Sequence, residues 1–253
     1  MEARAGRRAP LVFAASLAGL IAAWWLAALI ANDPAELPTP WRVAEILWGE
    51  AASGRLWRHL VPTLLRVAAA FGLAMLLGTV LGLALGLMPR LDRWADPWVV
   101  VMLNIPALVV IVLCYLWIGL NEVAAIVAVS FNKAASVTVT VREGARALSR
   151  PVGEMARVFG MSRMARLRHV VIPQLAPFLS AASRNGLAII WKLVLVVELL
   201  GRPDGIGFQI HLYFQLFEVG HVLAYAFSFV AIMLAIEYAL VQPLERRATR
   251  WRD

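Results

Sequence analysis

Long stretches without a charged residue constrain the fold of this chain of 253 residues more than any other feature. A helix needs about 20 mostly apolar residues to cross the roughly 30 Å of hydrocarbon in a bilayer. The first such stretch, residues 11–31, is longer than the apolar region of a typical signal peptide, so we expect a retained helix. The sequence therefore predicts an all-α membrane protein, a polytopic bundle of about six transmembrane helices in one domain over residues 1–253. The predicted spans are about 11–31, 64–88, 97–118, 122–141, 177–200 and 220–244.

The composition excludes a soluble enzyme. Hydrophobic residues make up 61% of the chain and charged residues 16%, whereas soluble domains average about 45–50% and about 25%. The net charge is +8, and the cations lie in short clusters between the spans rather than along one polar face, which argues against a nucleic-acid-binding surface. Cys114 is the single cysteine, so disulfide bonds within the chain are excluded and a cysteine-based metal site is not expected.

The distribution of lysine and arginine predicts the orientation. Sixteen of these residues lie at the N-terminus, at Arg90 and Arg93, in the segment 142–168 and in the tail 246–252, and only four lie in the opposite loops. Cytoplasmic loops of membrane proteins carry the excess of positive charge. We therefore expect a multi-pass protein of a bacterial-type inner membrane with both termini in the cytoplasm.

The chain lacks the sequence of a phosphate-binding loop. Such a loop requires Gly-Lys-Ser/Thr, but the two lysines, Lys133 and Lys192, follow Asn132 and Trp191. No metalloprotease or nucleophile-elbow motif occurs, and we expect no catalytic residue, no metal site and no cofactor in this chain. If the protein moves a solute uphill, the energy must come from another chain or from an ion gradient.

A stripe of small residues in the second span indicates close helix packing. Ala70, Ala74, Gly78, Gly82 and Gly86 recur at every fourth position. Such a stripe lets another helix approach closely, either within the chain or from a second copy.

The cytoplasmic loop at about 142–176 is longer than a connection between two spans requires. Apolar residues alternate with arginines after Pro151, a pattern typical of short amphipathic helices. A stiff element of this kind could pass movement of a cytoplasmic partner to the bundle. Gly160 would allow a tight bend, and Pro173 would set the return of the chain toward the membrane.

The same loop resembles the "EAA loop" of binding-protein-dependent ABC importer permeases. Glu154-Met155-Ala156 is followed after three residues by Gly160 and after nine more by Val170-Val171-Ile172-Pro173. The family pattern is Glu-Ala-Ala, three residues, Gly, nine residues, Ile-x-Leu-Pro. The departures at Met155, Val170 and Ile172 are all hydrophobic, and the spacing is intact.

Further segments are similar to the sulfonate, nitrate and taurine branch of these permeases. They are Leu37-Pro38-Thr39-Pro40, Asn104-Ile105-Pro106, Trp117-Ile118-Gly119-Leu120, and Val197-Glu198-Leu199-Leu200 through Gly205-Ile206-Gly207-Phe208. The resemblance implies a type I importer permease with two permease copies, two separate ATPase subunits that use ATP, and an extracytoplasmic solute-binding protein. It also implies that Glu154, Ala156, Gly160, Ile172 and Pro173 couple the chain to the ATPase. In this view Glu154 faces basic groups of the ATPase, and Ala156 and Gly160 permit its close approach.

Charged residues within the spans mark candidate pathway positions, because ionisable groups in a bilayer are costly and usually face a bundle interior or a watery cavity. Arg184, Lys192 and Glu198 share one wedge of the predicted fifth helix, and two cations there suit an anionic or strongly polar solute. Alternatively, Arg184 reaches the headgroups while Lys192 and Glu198 pair with neighbours as structural ions. Asn104 is either a pathway residue at a helix break or a satisfied core residue.

Lys133 and Glu237 are two further charged residues of the predicted spans. Both lie deep in apolar runs, and we expect them to be structural partners rather than solute contacts.

The sequence leaves the function open between several classes. The favoured interpretation is the permease subunit of an ABC importer for a small oxoanion such as a sulfonate, nitrate or taurine. A neutral or cationic vitamin precursor is an alternative solute. A secondary transporter or channel would use Lys192 and Glu198 for ion coupling, and a membrane scaffold would use the arginine-rich loop to bind lipid or a soluble partner.

Overall fold

A computed structural model describes the backbone of residues 5–243 and the side chains of residues 12, 15–239, 242 and 243. Every regular element in this part of the chain is helical, which confirms the all-α prediction. The helices are α1 Ala5–Ala31, α2 Pro40–Ala52, α3 Arg55–Leu87, α4 Pro89–Asn104, α5 Ala107–Ile118, α6 Glu122–Arg146, α7 Arg150–Val158, α8 Arg163–Arg166, α9 Ile172–Gly201, α10 Ile206–Gln215 and α11 Val219–Ile236. Two π-helical turns, Leu167–Val171 and Glu237–Val241, precede α9 and follow α11.

Among the described residues, three helical segments are long and apolar enough to cross a bilayer, namely α3, α6 and Val219–Ala239. The pair α4 and α5 qualifies as a fourth if the two helices form one broken span. Helix α9 has 30 residues and covers the predicted fifth span, but it carries three charged side chains. The count of six spans stays a prediction, as does the cytoplasmic placement of both termini, since residues 1–4 and 244–253 lie outside the described part.

The predicted third span is divided at Ile105 and Pro106. Helices α4 and α5 meet there at an angle of 95°. A residue before proline is disfavoured in the helical region, and Ile105 is accordingly extended, with φ −69° and ψ 124°. Asn104 ends α4, and its side-chain amide donates to the carbonyl of Val100 at 2.8 Å.

The small-residue stripe of α3 packs against α6 within the same chain. A methyl group placed on Gly78 would lie 2.5 Å from Val137 Cβ, and one on Gly86 would lie 2.5 Å from Ala145 Cβ. Only glycine permits this approach of the two backbones. Of the two interpretations of the stripe, these contacts support packing inside one bundle.

Helix α2 is anchored at both ends. Thr39 caps it by accepting a hydrogen bond from the backbone N–H of Arg42 at 3.3 Å. Near its other end, the buried carboxylate of Glu50 accepts from the Tyr225 hydroxyl of α11 at 2.7 Å and from Arg55 at 2.5 Å. These bonds tie α2 to α3 and α11.

Candidate functional site

The loop with the Glu-x-Ala…Gly spacing forms two short helices joined by a tight turn, as the sequence predicts. Helix α7 ends at Val158, and Gly160 has φ +66°, in the left-handed region. The backbone N–H of Gly160 donates to Arg157 O at 2.9 Å, and that of Met161 donates to Ala156 O at 3.0 Å. This pair of bonds defines a Schellman end, in which glycine avoids the steric cost of a side chain.

The exposed side of α7 is apolar at its C-terminal end. Val158 is 85% exposed and Phe159 is 78% exposed, and Met155 and Met164 are also exposed. A soluble protein surface rarely presents such side chains together without a partner. This cluster of four residues is called the apolar tip below.

Ala156 faces its own chain, whereas an approach of the ATPase to this residue would require it to face outward. It is 1% exposed, so it is covered by its own chain. The close approach that this alanine permits is therefore between α7 and the rest of the chain, whereas Gly160 is open, with no atom within 4 Å of a methyl group placed on it. Glu154 is exposed and lines a cavity with Arg150 and Arg157 of its own chain.

The loop is fastened to the start of α9. The side-chain oxygen of Gln174 accepts from the backbone N–H of Ser149 at 2.9 Å, directly before α7. The side-chain amide of Gln174 donates to Val170 O at 3.1 Å. One residue thus links the beginning of the loop to its end.

Pro173 does not turn the chain, contrary to the expectation. Residues 163–201 are continuously helical, since α8, the π turn and α9 follow one another with helical dihedral angles at the junctions. Proline lacks an N–H and disrupts the regular α-helical ladder, and the wider π turn immediately before it accommodates that defect. Ile172 is 46% exposed beside it. The end of the loop is therefore the first part of one long helix.

A set of ion pairs fixes the C-terminal end of α6, where the loop begins. Arg142 Nη1 lies 2.6 Å from Asp96 Oδ1 and 3.3 Å from Asp92 Oδ1 of α4. Arg146 pairs with Asp92 and, at 2.9 Å, with Glu143. Sequence reasoning counted these arginines as free loop cations, because the pairing with α4 spans about 50 residues.

A buried network of charged side chains surrounds Glu198 at the other end of the bundle. This carboxylate is 0% exposed. It accepts from Arg66 Nη1 at 2.7 Å, from the Thr63 hydroxyl at 3.0 Å and from the backbone N–H of Gly207 at 2.9 Å. Arg66, itself 3% exposed, also pairs with Glu122 at 2.6 Å and with Asp204. These residues are called the Arg66 cluster below, and they join α3, α6, α9 and the segment before α10.

The Gly205-Ile206-Gly207 segment makes room for this carboxylate. Gly205 has φ +107°, and a methyl group on it would overlap the Glu198 carboxylate. A methyl group on Gly207 would overlap the backbone of Leu195. In the first turn of α10 the Gly207 N–H donates to the carboxylate and the Ile206 N–H donates to the Thr63 hydroxyl. The N-terminus of a helix is the favourable end of its dipole for a negative charge.

The structure separates the three charged residues of α9. Glu198 faces the Arg66 cluster, whereas Lys192 and Arg184 are exposed on the surface of the chain. Glu198 is fully buried and paired with Arg66, the arrangement that the structural alternative describes, and its role in a pathway stays a prediction. Sequence analysis missed Arg66, although an arginine at the edge of an apolar span is itself the signal of a functional or paired ion.

Lys133 is 2% exposed, and its ammonium group donates to the Ser136 hydroxyl at 3.2 Å. It makes no ion pair with Glu237 among the described residues, so the expected partnership is absent there. A methyl group on Gly186 would lie 3.2 Å from Lys133 Cε, so a glycine on α9 makes room for this side chain.

Comparisons with known proteins agree with this architecture. Residues 74–249 match the family described as "Binding-protein-dependent transport system inner membrane component". The chain is 29% identical over 93% of its length to 88% of the "Taurine transport system permease protein TauC" of Escherichia coli (strain K12). It is 30% identical over 92% of its length to 89% of the "Putative aliphatic sulfonates transport permease protein SsuC" of the same organism.

Solved structures show the same fold. One titled "Crystal structure of an amino acid ABC transporter with histidines" matches with a TM-score of 0.63 at 22% identity, covering 79% of this chain and 97% of that chain. The MetNI methionine ABC transporter in an inward-facing form matches with a TM-score of 0.61 at 19% identity, covering 75% of this chain and 96% of that chain. The chain therefore belongs to the binding-protein-dependent transport system inner membrane components, the membrane-embedded permease subunits of ABC importers.

Proposed function

We propose that α7 and its apolar tip form the contact through which an ATPase subunit drives this permease. The observation that carries the proposal is the exposure of Val158 and Phe159 at the end of a helix that is otherwise held to its own chain. Apolar side chains in this position suit a hydrophobic groove on a partner. Glu154 and Gly160 border the same surface and remain the predicted points of charge contact and close approach.

The connection to α9 supports a mechanical role for this contact. Gln174 fastens the loop, and the continuous helix from α8 to α9 converts displacement of the loop into displacement of a membrane helix. ATP would be bound and hydrolysed by the partner ATPase, with no cofactor in this chain. Two permease copies would alternate between outward-facing and inward-facing states, and a solute-binding protein would deliver the solute from outside.

The proposed solute is a small oxoanion of the sulfonate type. Two relatives are described as taurine and aliphatic sulfonate permeases. Lys192 and Arg184 are exposed on α9, so both could face a pathway between two copies. A further relative, 28% identical, is described as "Riboflavin transport system permease protein RibX" of Chloroflexus aurantiacus. Riboflavin therefore belongs among the solutes to be compared.

The ATPase contact is tested by substituting the apolar tip. Phe159→Glu should abolish copurification of an ATPase chain and ATP-dependent uptake, because it places a charge in a desolvated contact. Phe217→Glu is the matched control. Phe217 is 84% exposed, similar to Phe159, but it follows α10 at the other end of the bundle. ATP-dependent uptake that persists in Phe159→Glu would refute the docking assignment. Uptake by the chain alone, without any ATPase, would indicate a secondary transporter or channel instead.

The solute is tested in vesicles that contain the complete transporter. Taurine, an alkanesulfonate, nitrate and riboflavin are compared for stimulation of ATP-dependent uptake at equal concentration. The proposal expects stimulation by the sulfonates and a loss of it in Lys192→Gln. Stimulation by riboflavin alone would overturn the oxoanion assignment and leave the ATPase contact untouched.

A further inference from the structure

A cavity lies between α7 and the cytoplasmic end of the bundle. Its volume is about 570 Å³, which is within the range of small-molecule sites. The walls come from the α3–α4 junction at Leu87 and Pro89, from the end of α6 at Arg146, from α7, and from the π turn before α9. The cavity therefore sits directly behind the helix that we propose contacts the ATPase.

The lining of this cavity is strongly basic. Four arginines contribute to it, namely Arg146, Arg150, Arg157 and Arg166, against the single carboxylate of Glu154. Arg146 is neutralised by Asp92 and Glu143. The other three side chains have neither an ion pair nor a hydrogen bond to any residue in the range 5–243 for which side chains are described. A concave surface with cations of one sign concentrates anions from solution.

The location of the cavity and its arginine side chains indicate which type of anion it binds. The apolar run of α3 ends at Leu87, so the cavity lies at the end of a predicted span, where we expect lipid headgroups to begin. Guanidinium groups bind phosphate oxygens through two parallel hydrogen bonds, and several arginines converge on such groups in known phosphate sites. We propose that this cavity binds a phosphate group, supplied by an anionic phospholipid headgroup or by a free phosphate compound.

Such an anion would join elements that otherwise touch only lightly. Arg150 and Arg157 lie on α7, and Arg166 lies on α8 at the start of the continuous helix into α9. A shared phosphate bridges the two and holds α7 in place. Binding itself is independent of the proposed ATPase contact, whereas its effect on coupling depends on that contact.

The experiment measures binding to the full chain without an ATPase, so its outcome is readable even if the ATPase contact is wrong. The chain is placed in nanodiscs of phosphatidylcholine. In one arm inorganic phosphate is titrated against chloride at equal ionic strength, and in the other arm roughly 20 mol % phosphatidylglycerol replaces the neutral lipid, as in an anionic leaflet. The readout is the thermal midpoint, which rises when a ligand binds the folded state alone.

The decisive variant is Arg150→Gln/Arg157→Gln/Arg166→Gln, and Arg157→Gln alone is the milder second variant. The matched control is Arg163→Gln/Arg168→Gln, two exposed arginines of the same segment that do not line the cavity. We expect the thermal midpoint to rise in at least one arm. In the triple variant the apparent affinity for the anion should fall about tenfold or more, and in the control variant it should stay unchanged.

A response to free phosphate identifies a soluble compound as the source, and a response to phosphatidylglycerol alone identifies the lipid; either supports the proposal. An equal loss in the control would show general surface attraction and overturn it. It is equally overturned if neither arm shifts the midpoint, or if the triple variant responds as strongly as the unsubstituted chain.

Discussion

Single substitutions in the Arg66 cluster should lower the free energy of unfolding by unequal amounts. Glu198→Gln keeps the shape of the side chain, and Arg66 retains Glu122 and Asp204 as partners. The amide NH2 of Gln must face either Arg66 or the Gly207 N–H, and both of these groups only donate. The loss is therefore at least that of one charge-assisted hydrogen bond, about 1.5–3 kcal/mol. Arg66→Met leaves the Glu198 carboxylate charged in a fully buried site with only Thr63 and the Gly207 N–H to satisfy it. Removing one partner of a buried ion pair costs about 3–5 kcal/mol.

The double variant gives the sharper test, because the sign of its change in free energy of unfolding relative to Arg66→Met is predicted. In Arg66→Met the main cost is the uncompensated carboxylate, and adding Glu198→Gln removes that charge. We therefore expect Arg66→Met/Glu198→Gln to have a higher free energy of unfolding than Arg66→Met alone, although it contains one more substitution. Non-additivity of this kind is expected for residues that share a network.

The free energy of unfolding is measured by denaturant titration of the purified chain in one detergent for all variants. Arg58→Met serves as the control, since Arg58 is an exposed arginine of the same helix without an ion pair in the described part of the chain. The prediction is refuted if the free energy of unfolding of the double variant is no higher than that of Arg66→Met. It also fails if Arg66→Met is no more destabilising than Arg58→Met.

Two further predictions concern glycines. Gly78→Ala should destabilise the chain by about 1–3 kcal/mol through overpacking against α6. Gly72→Ala on the same helix is the control, because a methyl group there meets no atom within 4 Å, and it should be neutral or slightly stabilising. Denaturant titration measures the difference between the two variants. Gly160→Ala should cost about 1–2 kcal/mol locally because of its φ of +66° and should lower ATP-dependent uptake. Gly153→Ala, within α7 and with open space around it, is the control, and equal uptake by both variants would contradict a requirement for the turn.

Local signals in the sequence were sufficient for much of the fold. Charge-free runs located the long helices, and the spacing around Gly160 located the turn after α7. The break between α4 and α5 was one of two alternatives that the sequence left open at Asn104. These features depend on residues that are close together in the chain. The sequence of α9 also showed its three charged residues, but helical angles alone could not tell a buried one from an exposed one.

The features that the sequence did not predict depend mainly on contacts between segments that are distant in the chain. Arg66 and Glu198 are separated by 132 positions, and no pattern within either helix indicates that they meet. The inward orientation of Ala156 depends on how α7 rests on the bundle rather than on the spacing of its motif. The continuity of the chain through Pro173 was missed because proline usually marks a helix start or a break, and a π turn that absorbs its effect has no clear sequence signal.

The two ends of α9 are held in different ways, and this difference bears on how the permease moves. At the C-terminal end of α9, Glu198 is fixed by hydrogen bonds from Arg66 and Thr63 of α3 and from the Gly207 N–H of α10, so that end of α9 is a stable joint. At the other end α9 continues into α8, and Gln174 connects it to the start of α7. Under the proposed ATPase contact, we expect a force applied at α7 to displace the loop end of α9 while the Arg66 cluster holds the far end in place. If this is correct, Arg66→Met should loosen the joint and lower uptake per ATP hydrolysed without reducing the amount of ATPase bound, whereas substitutions in the apolar tip should reduce both.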